Sequence, residues 1–309
     1  MPELPEVQTT VDGINAKVKG LTITDVWTSY NSPFYHGKND IKNPKYFQIF
    51  KKNVVSQKII SAERQGKNVL IHLGNGYTIL THMKMTGHFM YGKYQQEKTT
   101  GKKEISWSPS DKNSPLADPF NKNIRLLFSF SNGKHWAFAD TRKFAKVYIF
   151  KADERHQVSD LTNLGPDPLS KKFSLKIMQE RLALRKNWKI KQALMDQEII
   201  AGIGNIYSDE MLWNSGIHPL SVVSKIPVEK MQKLHKSMLS VLKKGLDFGG
   251  DSTSDYRNIH GLPGKFQHKH NVYRHTGRAC PKKDGGIITR IKVGGRSGHF
   301  CPVHQTLYK

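Results

Sequence analysis

Between Pro5 and Lys19 the apolar residues Val7, Val11, Ile14 and Val18 fall on one helical face and predict an amphipathic helix. The period then shortens. The runs "LTITDVWTSY", "VSQKIISAERQ", "NVLIHL", "YTILTHM", "IRLLFSFSNG" and "HWAFADTRKFAKVYIF" read as strands, with turn signals at Gly74-Asn75-Gly76 and Asn132-Gly133. A helix followed by a β-sandwich is therefore expected over residues 2–152. The polar stretch "YQQEKTTGKKEISWSPSDKNSPLADPFNKN" interrupts the strands and predicts a long surface excursion.

Two prolines in "LGPDPLSKKFS" break regular structure and mark residues 153–170 as a linker. Helical spacing returns over 171–250. There "WKIKQALMDQEIIAGIGNIYSDEMLWNSGIHPL" reads as two helices around a glycine-marked turn. "VEKMQKLHKSMLSVLKKGL" aligns Val228, Met231, Leu234, Met238, Leu242 and Leu246 as a stripe for core packing. Residues 251–309 are rich in Gly, His and basic side chains and look too polar for an ordinary core. The fold class expected is α+β, an N-terminal β-sandwich with flanking helices before a helical C-terminal domain.

Composition narrows the partner. The 309 residues suffice for two domains, and 37% hydrophobic content suits a globular chain without a membrane span. Lys and Arg number 49 against 25 Asp and Glu, a net charge of +24. Such an excess points to a polyanion, most often nucleic acid; a merely soluble lysine-rich surface is the alternative. The two cysteines, Cys280 and Cys301, are too few for a disulfide framework. No signal peptide is visible.

The start, MPELPEV, offers chemistry. Removal of Met1 would leave Pro2 with a free secondary α-amine, and α-amines titrate near ~8, so a neutral fraction exists at neutral pH. Such an amine attacking an aldehyde-like carbon gives an iminium, which acts as an electron sink. Glu3 beside it is a candidate acid or base. Taken alone, a Met-Pro-Glu start is usually inert.

Seven segments change that weighting. MPELPEV, "RQGKNVLIHL", "HMKMTGHF", "DTRKFAKV", "LGPDPL", "IKQALMDQEIIAGIGNIYSDEMLWNSGIHP" and "GGRSGHFCPVHQ" resemble, in the same order, motifs of the formamidopyrimidine-DNA glycosylase and endonuclease VIII family. The resemblance implies that 171–250 is a helix–two-turns–helix DNA-binding domain. It implies that 251–309 holds a lesion-capping loop and a zinc-finger-like β-hairpin.

The same resemblance implies roles residue by residue. Pro2 matches the nucleophile, Glu3 the acid/base, and Lys67 a lysine near the catalytic centre and a DNA phosphate. His82, Asn205 and Arg296 match phosphate grips, Arg296 being placed with the catalytic set. Met85, Arg142 and Phe144 match the wedge that fills the stack after base flipping. Glu6 and Glu210 match acidic residues near the lesion pocket, although Glu210 reads equally well as a surface charge.

The finger departs from the family pattern of two C-x2-C pairs. Its second pair is Cys301 and His304; its first is a lone Cys280 followed, in "CPKKDGG", by Asp284. Together these four form a possible set of ligands for one structural zinc, the C-x3-D spacing requiring a local bulge. A metal-free hairpin is the alternative.

Leucine in PELPEV and the stretch "STSDYRNIHGLPGKFQ" favour the formamidopyrimidine branch. The expectation is a monomeric, cytoplasmic and nucleoid-associated glycosylase and lyase acting on damaged double-stranded DNA, without a redox cofactor. Oxidised purines are the expected lesions and oxidised pyrimidines the alternative. Two other readings stay open: an inactive damage-binding protein and a charge-driven nucleic-acid chaperone.

Overall fold

The computed structural model describes residues 1–30, 39–98 and 105–309. The chain divides into two compact units, Met1–Val158 with Phe248–Lys265, and Ser159–Asp247 with Phe266–Lys309. Among the described residues no helix is long and apolar enough to cross a membrane.

The first unit begins with α1 (Leu4–Lys17), whose predicted stripe is fully realised: Val7, Val11, Ile14 and Val18 are all buried. Strand β1 (Ile23–Thr28) and helix α2 (Pro44–Val54) follow. Asn43 caps α2 by accepting the Lys45 and Tyr46 N–H groups; this helix, which buries Tyr46, Phe50 and Val54, was not among the expected elements. Then come β2 (Ile59–Gln65), β3 (Asn68–Leu73), β4 (Tyr77–His82) and β5 (His88–Gly92).

The polar excursion is more ordered than expected. It contains the hairpin β6 (Tyr94–Lys98) and β7 (Ile105–Pro109), then two short 3-10 turns at Pro115–Ala117 and Pro119–Asn121. Residues 99–104 of the excursion lie outside the described residues. Trp107 packs edge-on to Trp27 with ring centroids 6.3 Å apart, so an apolar foot holds this polar segment down.

Strands β8 (Ile124–Phe130), β9 (His135–Ala139) and β10 (Lys146–Lys151) complete two antiparallel sheets, ordered β1-β8-β9-β5 and β10-β4-β3-β2. The run read as "HWAFADTRKFAKVYIF" thus splits between both sheets, broken by a turn at 140–145. Phe89, Phe128 and Trp136 form an aromatic cluster, and each is at most 1% exposed. Full burial of one such side chain contributes on the order of 1.5–3 kcal/mol.

The second unit holds α3 (Ser159–Thr162), α4 (Leu175–Ala183), α5 (Ile190–Met195), α6 (Asn205–Ser215) and α7 (Val228–Asp247). The α7 stripe packs inward from Met231 to Leu242, but Val228 in its first turn is 60% exposed. The hairpin β11 (Thr289–Val293) and β12 (Arg296–Phe300) ends the regular structure. A small core of Trp213, Val272, Cys280, Ile288 and Cys301 lies beneath it. The polar tail therefore packs by borrowing an aromatic ring from α6.

Candidate functional site

In the first unit Pro2 immediately precedes α1 and is buried with Glu3, which is 2% exposed. One Glu6 oxygen accepts the Glu3 N–H at 2.7 Å, the reciprocal arm of a helix capping box. The other accepts the Asp251 N–H, also at 2.7 Å. Gly250, with φ of +85°, makes this approach possible: a Cβ there would sit 2.9 Å from the Glu6 Cγ and Oε1. The start of the chain is thereby tied to the segment 251–265.

That segment rests on the excursion. Arg257 donates to Asp118 at 3.3 Å and lies over the Phe120 ring at 4.4 Å. Asn121 donates to the Gly261 carbonyl at 3.2 Å, while its side-chain oxygen stands 2.9 Å from Nε2 of the buried His88. Burial pushes the His88 pKa below its ordinary value, against the upward pull of its hydrogen bonds to Asn121 and the Thr86 carbonyl.

Lys67 occupies the two-residue turn between β2 and β3, where Gly66 takes φ of +59° as a tight hairpin requires. It is only 6% exposed. His82, at the end of β4, is paired with Asn68 at the start of β3, so the two motifs converge through strand register. His82 Nδ1 accepts the Lys84 N–H at 3.0 Å.

The three wedge candidates occupy two turns joined by one buried carboxylate. Asp140, fully buried, accepts from Thr86 Oγ1 at 2.5 Å, the Ala145 N–H at 2.9 Å and the Tyr30 hydroxyl at 2.7 Å. Thr86, next to Met85, accepts the Arg142 N–H at 3.1 Å. Arg142 stacks over the Phe144 ring at 4.5 Å. Phe144 is 50% exposed and Met85 half-buried, so Phe144 is not part of the apolar core. Sequence reasoning missed Asp140 and Thr86. Their signal was slight: an acid directly before a basic turn, and a hydroxyl directly after Met85.

In the second unit Asn205 opens α6 behind Gly204, with Gly202 at φ of +93°. Gln197 shapes this turn by donating to the Met195 and Ile203 carbonyls at 2.8 and 2.9 Å and accepting the Gly202 N–H at 2.9 Å. The Asn205 side-chain oxygen is buried without a hydrogen-bond partner among the described residues. Beneath it Lys191 and Asp209, both fully buried, pair at 2.6 Å. Asp209 also accepts the His299 backbone N–H at 3.0 Å and meets its Nδ1 at 2.8 Å, fixing β12 against α6. Arg296 is exposed at the start of β12, after the Gly294-Gly295 turn with φ of +53° and +77°.

Glu210 is no surface charge. It is 1% exposed, and its carboxylate accepts the N–H groups of Asn271, Val272 and Tyr273 at 2.9–3.0 Å. The resemblance put it near the lesion pocket; its visible work is to anchor the approach to the finger.

The ligand atoms of Cys280, Asp284, Cys301 and His304 all lie within 4.8 Å of one another. Zinc bonds of about 2.0–2.3 Å imply tetrahedron edges of about 3.3–3.8 Å. Cys280 to His304 is 3.7 Å and Cys301 to Asp284 is 3.4 Å, which fits; Asp284 to His304, at 2.6 Å, is a hydrogen bond a metal would replace. The bulge required by C-x3-D is supplied by Lys283, at φ of +54°. His304 Nε2 lies 3.1 Å from the Trp213 carbonyl, which selects the tautomer leaving Nδ1 free to ligate. Burial opposes ionisation of Asp284, yet the Gly286 N–H, His304 and both thiols hold its carboxyl down at about 2. Burial raises the Cys301 thiol, a shift a bound cation reverses.

Comparison with known proteins identifies the family of the chain. The profile of the formamidopyrimidine-DNA glycosylase N-terminal domain matches residues 1–147, and that of its H2TH domain matches 164–257. The formamidopyrimidine-DNA glycosylases of Bacillus cereus and Halalkalibacterium halodurans are 33% and 35% identical, each match covering 99% of this chain and 99% and 100% of theirs. The Lactococcus lactis enzyme bound to DNA containing an abasic site superposes with a TM-score of 0.79 at 28% identity, covering 98% of this chain and 99% of that one. The wild-type Lactococcus enzyme on DNA with an oxidised pyrimidine gives 0.78 at 29% identity, covering 99% and 100%. The chain belongs to the formamidopyrimidine-DNA glycosylase family.

Proposed function

We propose that the protein is a bifunctional DNA glycosylase and abasic-site lyase that removes oxidised purines from duplex DNA. After loss of Met1, the Pro2 amine attacks C1′ of the damaged nucleotide. The C1′–N bond breaks, and the base leaves with a proton supplied at the site. Glu3 assists opening of the sugar ring, giving a cationic imine. Loss of a C2′ proton then expels the 3′ phosphate, and a second elimination expels the 5′ phosphate.

The observation that carries this reading is the setting of Pro2. It sits at the head of a rigid helix, with the adjoining N–H groups locked by Glu6. Lys67, His82, Asn205 and Arg296 serve as phosphate grips. Met85, Arg142 and Phe144 refill the stack, offsetting a flipping cost of a few kcal/mol. Glu210 serves as an anchor for 271–273. Zinc is the metal proposed for Cys280, Asp284, Cys301 and His304, holding the finger that carries Arg296. The proposed workplace is the nucleoid.

The ordered 251–265 segment, braced by Asp118, Phe120 and Asn121, supports the purine preference, since a braced loop is suited to cover a large flipped base. The Lactococcus relative seen with an oxidised pyrimidine keeps the second reading alive. Rates of strand cleavage on duplexes carrying 8-oxoguanine, a formamidopyrimidine or dihydrouracil decide between them. Faster cleavage of the first two is expected; a preference for dihydrouracil overturns the purine assignment.

A further inference from the structure

Arg274 holds a left-handed backbone, φ +59°, a conformation that favours glycine and strains other side chains. It is exposed, and no carboxylate pairs with it among the described residues. Its surroundings give the strain a purpose. Arg274 lines a recess of about 510 Å³ together with Asn205, Tyr273, Thr276, Arg290 and Ser297. The recess contains two guanidiniums and no acid. It opens at Asn205, the first residue of α6.

Arg290 is held ready. Its Nε and Nη2 donate to Ser297 Oγ at 3.0 and 2.7 Å across the β11–β12 hairpin. Arg290 and Ser297 also line a second recess, of about 300 Å³, with Arg296. The two recesses therefore share a wall, and Arg290 stands between Asn205 on one side and Arg296 on the other. Strain by itself is no signal, since Lys283 has a similar φ in the finger turn. The recess and its unopposed guanidiniums distinguish Arg274.

We infer that Arg274 and Arg290 form an additional clamp for a phosphodiester of the DNA backbone, beside the phosphate grips proposed for Asn205 and Arg296. The inference rests on the DNA-glycosylase reading. The planar guanidinium fork suits two phosphate oxygens, where a lysine offers only a point charge. The left-handed turn aims Arg274 into the recess, and the Glu210 anchor of residues 271–273 fixes where that turn begins.

The test is the salt dependence of binding to a duplex with a tetrahydrofuran abasic analogue, for wild type, Arg274→Gly and Arg290→Ser. Each lost phosphate contact lowers the slope of log K against log salt by about 0.9. Both variants are expected to show that drop, and Arg274→Gly is expected to melt at the same temperature as wild type or higher. Arg290→Lys should bind more weakly than wild type while keeping most of the slope. Unchanged slopes in both variants, beside a steep wild-type slope, overturn the clamp alone. A wild-type protein without salt-dependent binding overturns the DNA reading itself. A lower melting temperature for Arg274→Gly would make Arg274 a structural residue and also defeat the proposal.

Discussion

Glu6 and Asp251 stand 245 residues apart in the chain, yet the carboxylate of one accepts the backbone N–H of the other at 2.7 Å. The same carboxylate holds the Glu3 N–H, so a single buried group positions both the proposed nucleophile's neighbour and the root of the 251–265 segment. Glu6→Gln puts an amide donor against one of two N–H donors. Leaving one unsatisfied costs about 1–3 kcal/mol, which urea unfolding will register. Gly250→Ala should also destabilise, because its Cβ meets the Glu6 side chain and its φ is positive.

The wedge separates stability from recognition. Phe144 and Arg142 are exposed, so alanine at either should leave the unfolding free energy within about 0.5 kcal/mol of wild type. Discrimination between damaged and undamaged duplex should fall at least tenfold in competition binding. Asp140→Asn behaves differently. It weakens the buried junction with Thr86, Ala145 and Tyr30, and is expected to cost about 1–3 kcal/mol along with the loss of discrimination.

Metal analysis should return one zinc per chain. Chelation should loosen the hairpin, seen as faster amide exchange in β11 and β12 and altered fluorescence of Trp213, which belongs to the same small core. Asp284→Ala should lower metal affinity by tenfold or more. Protein purified metal-free, with amide exchange unchanged by added zinc, supports the metal-free hairpin instead.

Acid should weaken the fold before it touches the carboxylates. Burial lowers the pKa of His88, His135 and His218. Below about 6.5 the unfolded chain takes up protons that these folded sites refuse, so stability falls as pH drops from 7 towards 5. Melting temperatures across that range check the sign. His88→Gln should flatten the slope, at some cost in absolute stability because Asn121 loses an ideal partner.

Much of this was legible because periodicity and local chemistry agree in the same stretches. The α1 stripe, the β2–β4 runs and the glycine turn before Asn205 each follow from nearest neighbours in the chain. Helix α2 was overlooked although Tyr46, Phe50 and Val54 recur at helical spacing behind the Asn43-Pro44 cap, because the stripe is short and lies among lysines. The 94–123 excursion hid an apolar foot in Trp107 and Leu116, two residues lost among polar ones. The junctions stayed invisible for one physical reason. Asp140, Glu210 and the Lys191–Asp209 pair are charges whose meaning lies in distant partners, and a single sequence gives no account of which charges will be buried together.

The central claim is that Pro2 becomes covalently joined to the sugar of a damaged nucleotide. Borohydride reduction during reaction with an 8-oxoguanine duplex, followed by mass analysis of the N-terminal peptide, tests it directly. The account predicts a stable protein–DNA adduct on Pro2, with Met1 gone, and no adduct for Pro2→Ala. An intact Met1, or an undiminished adduct in Pro2→Ala, would contradict it.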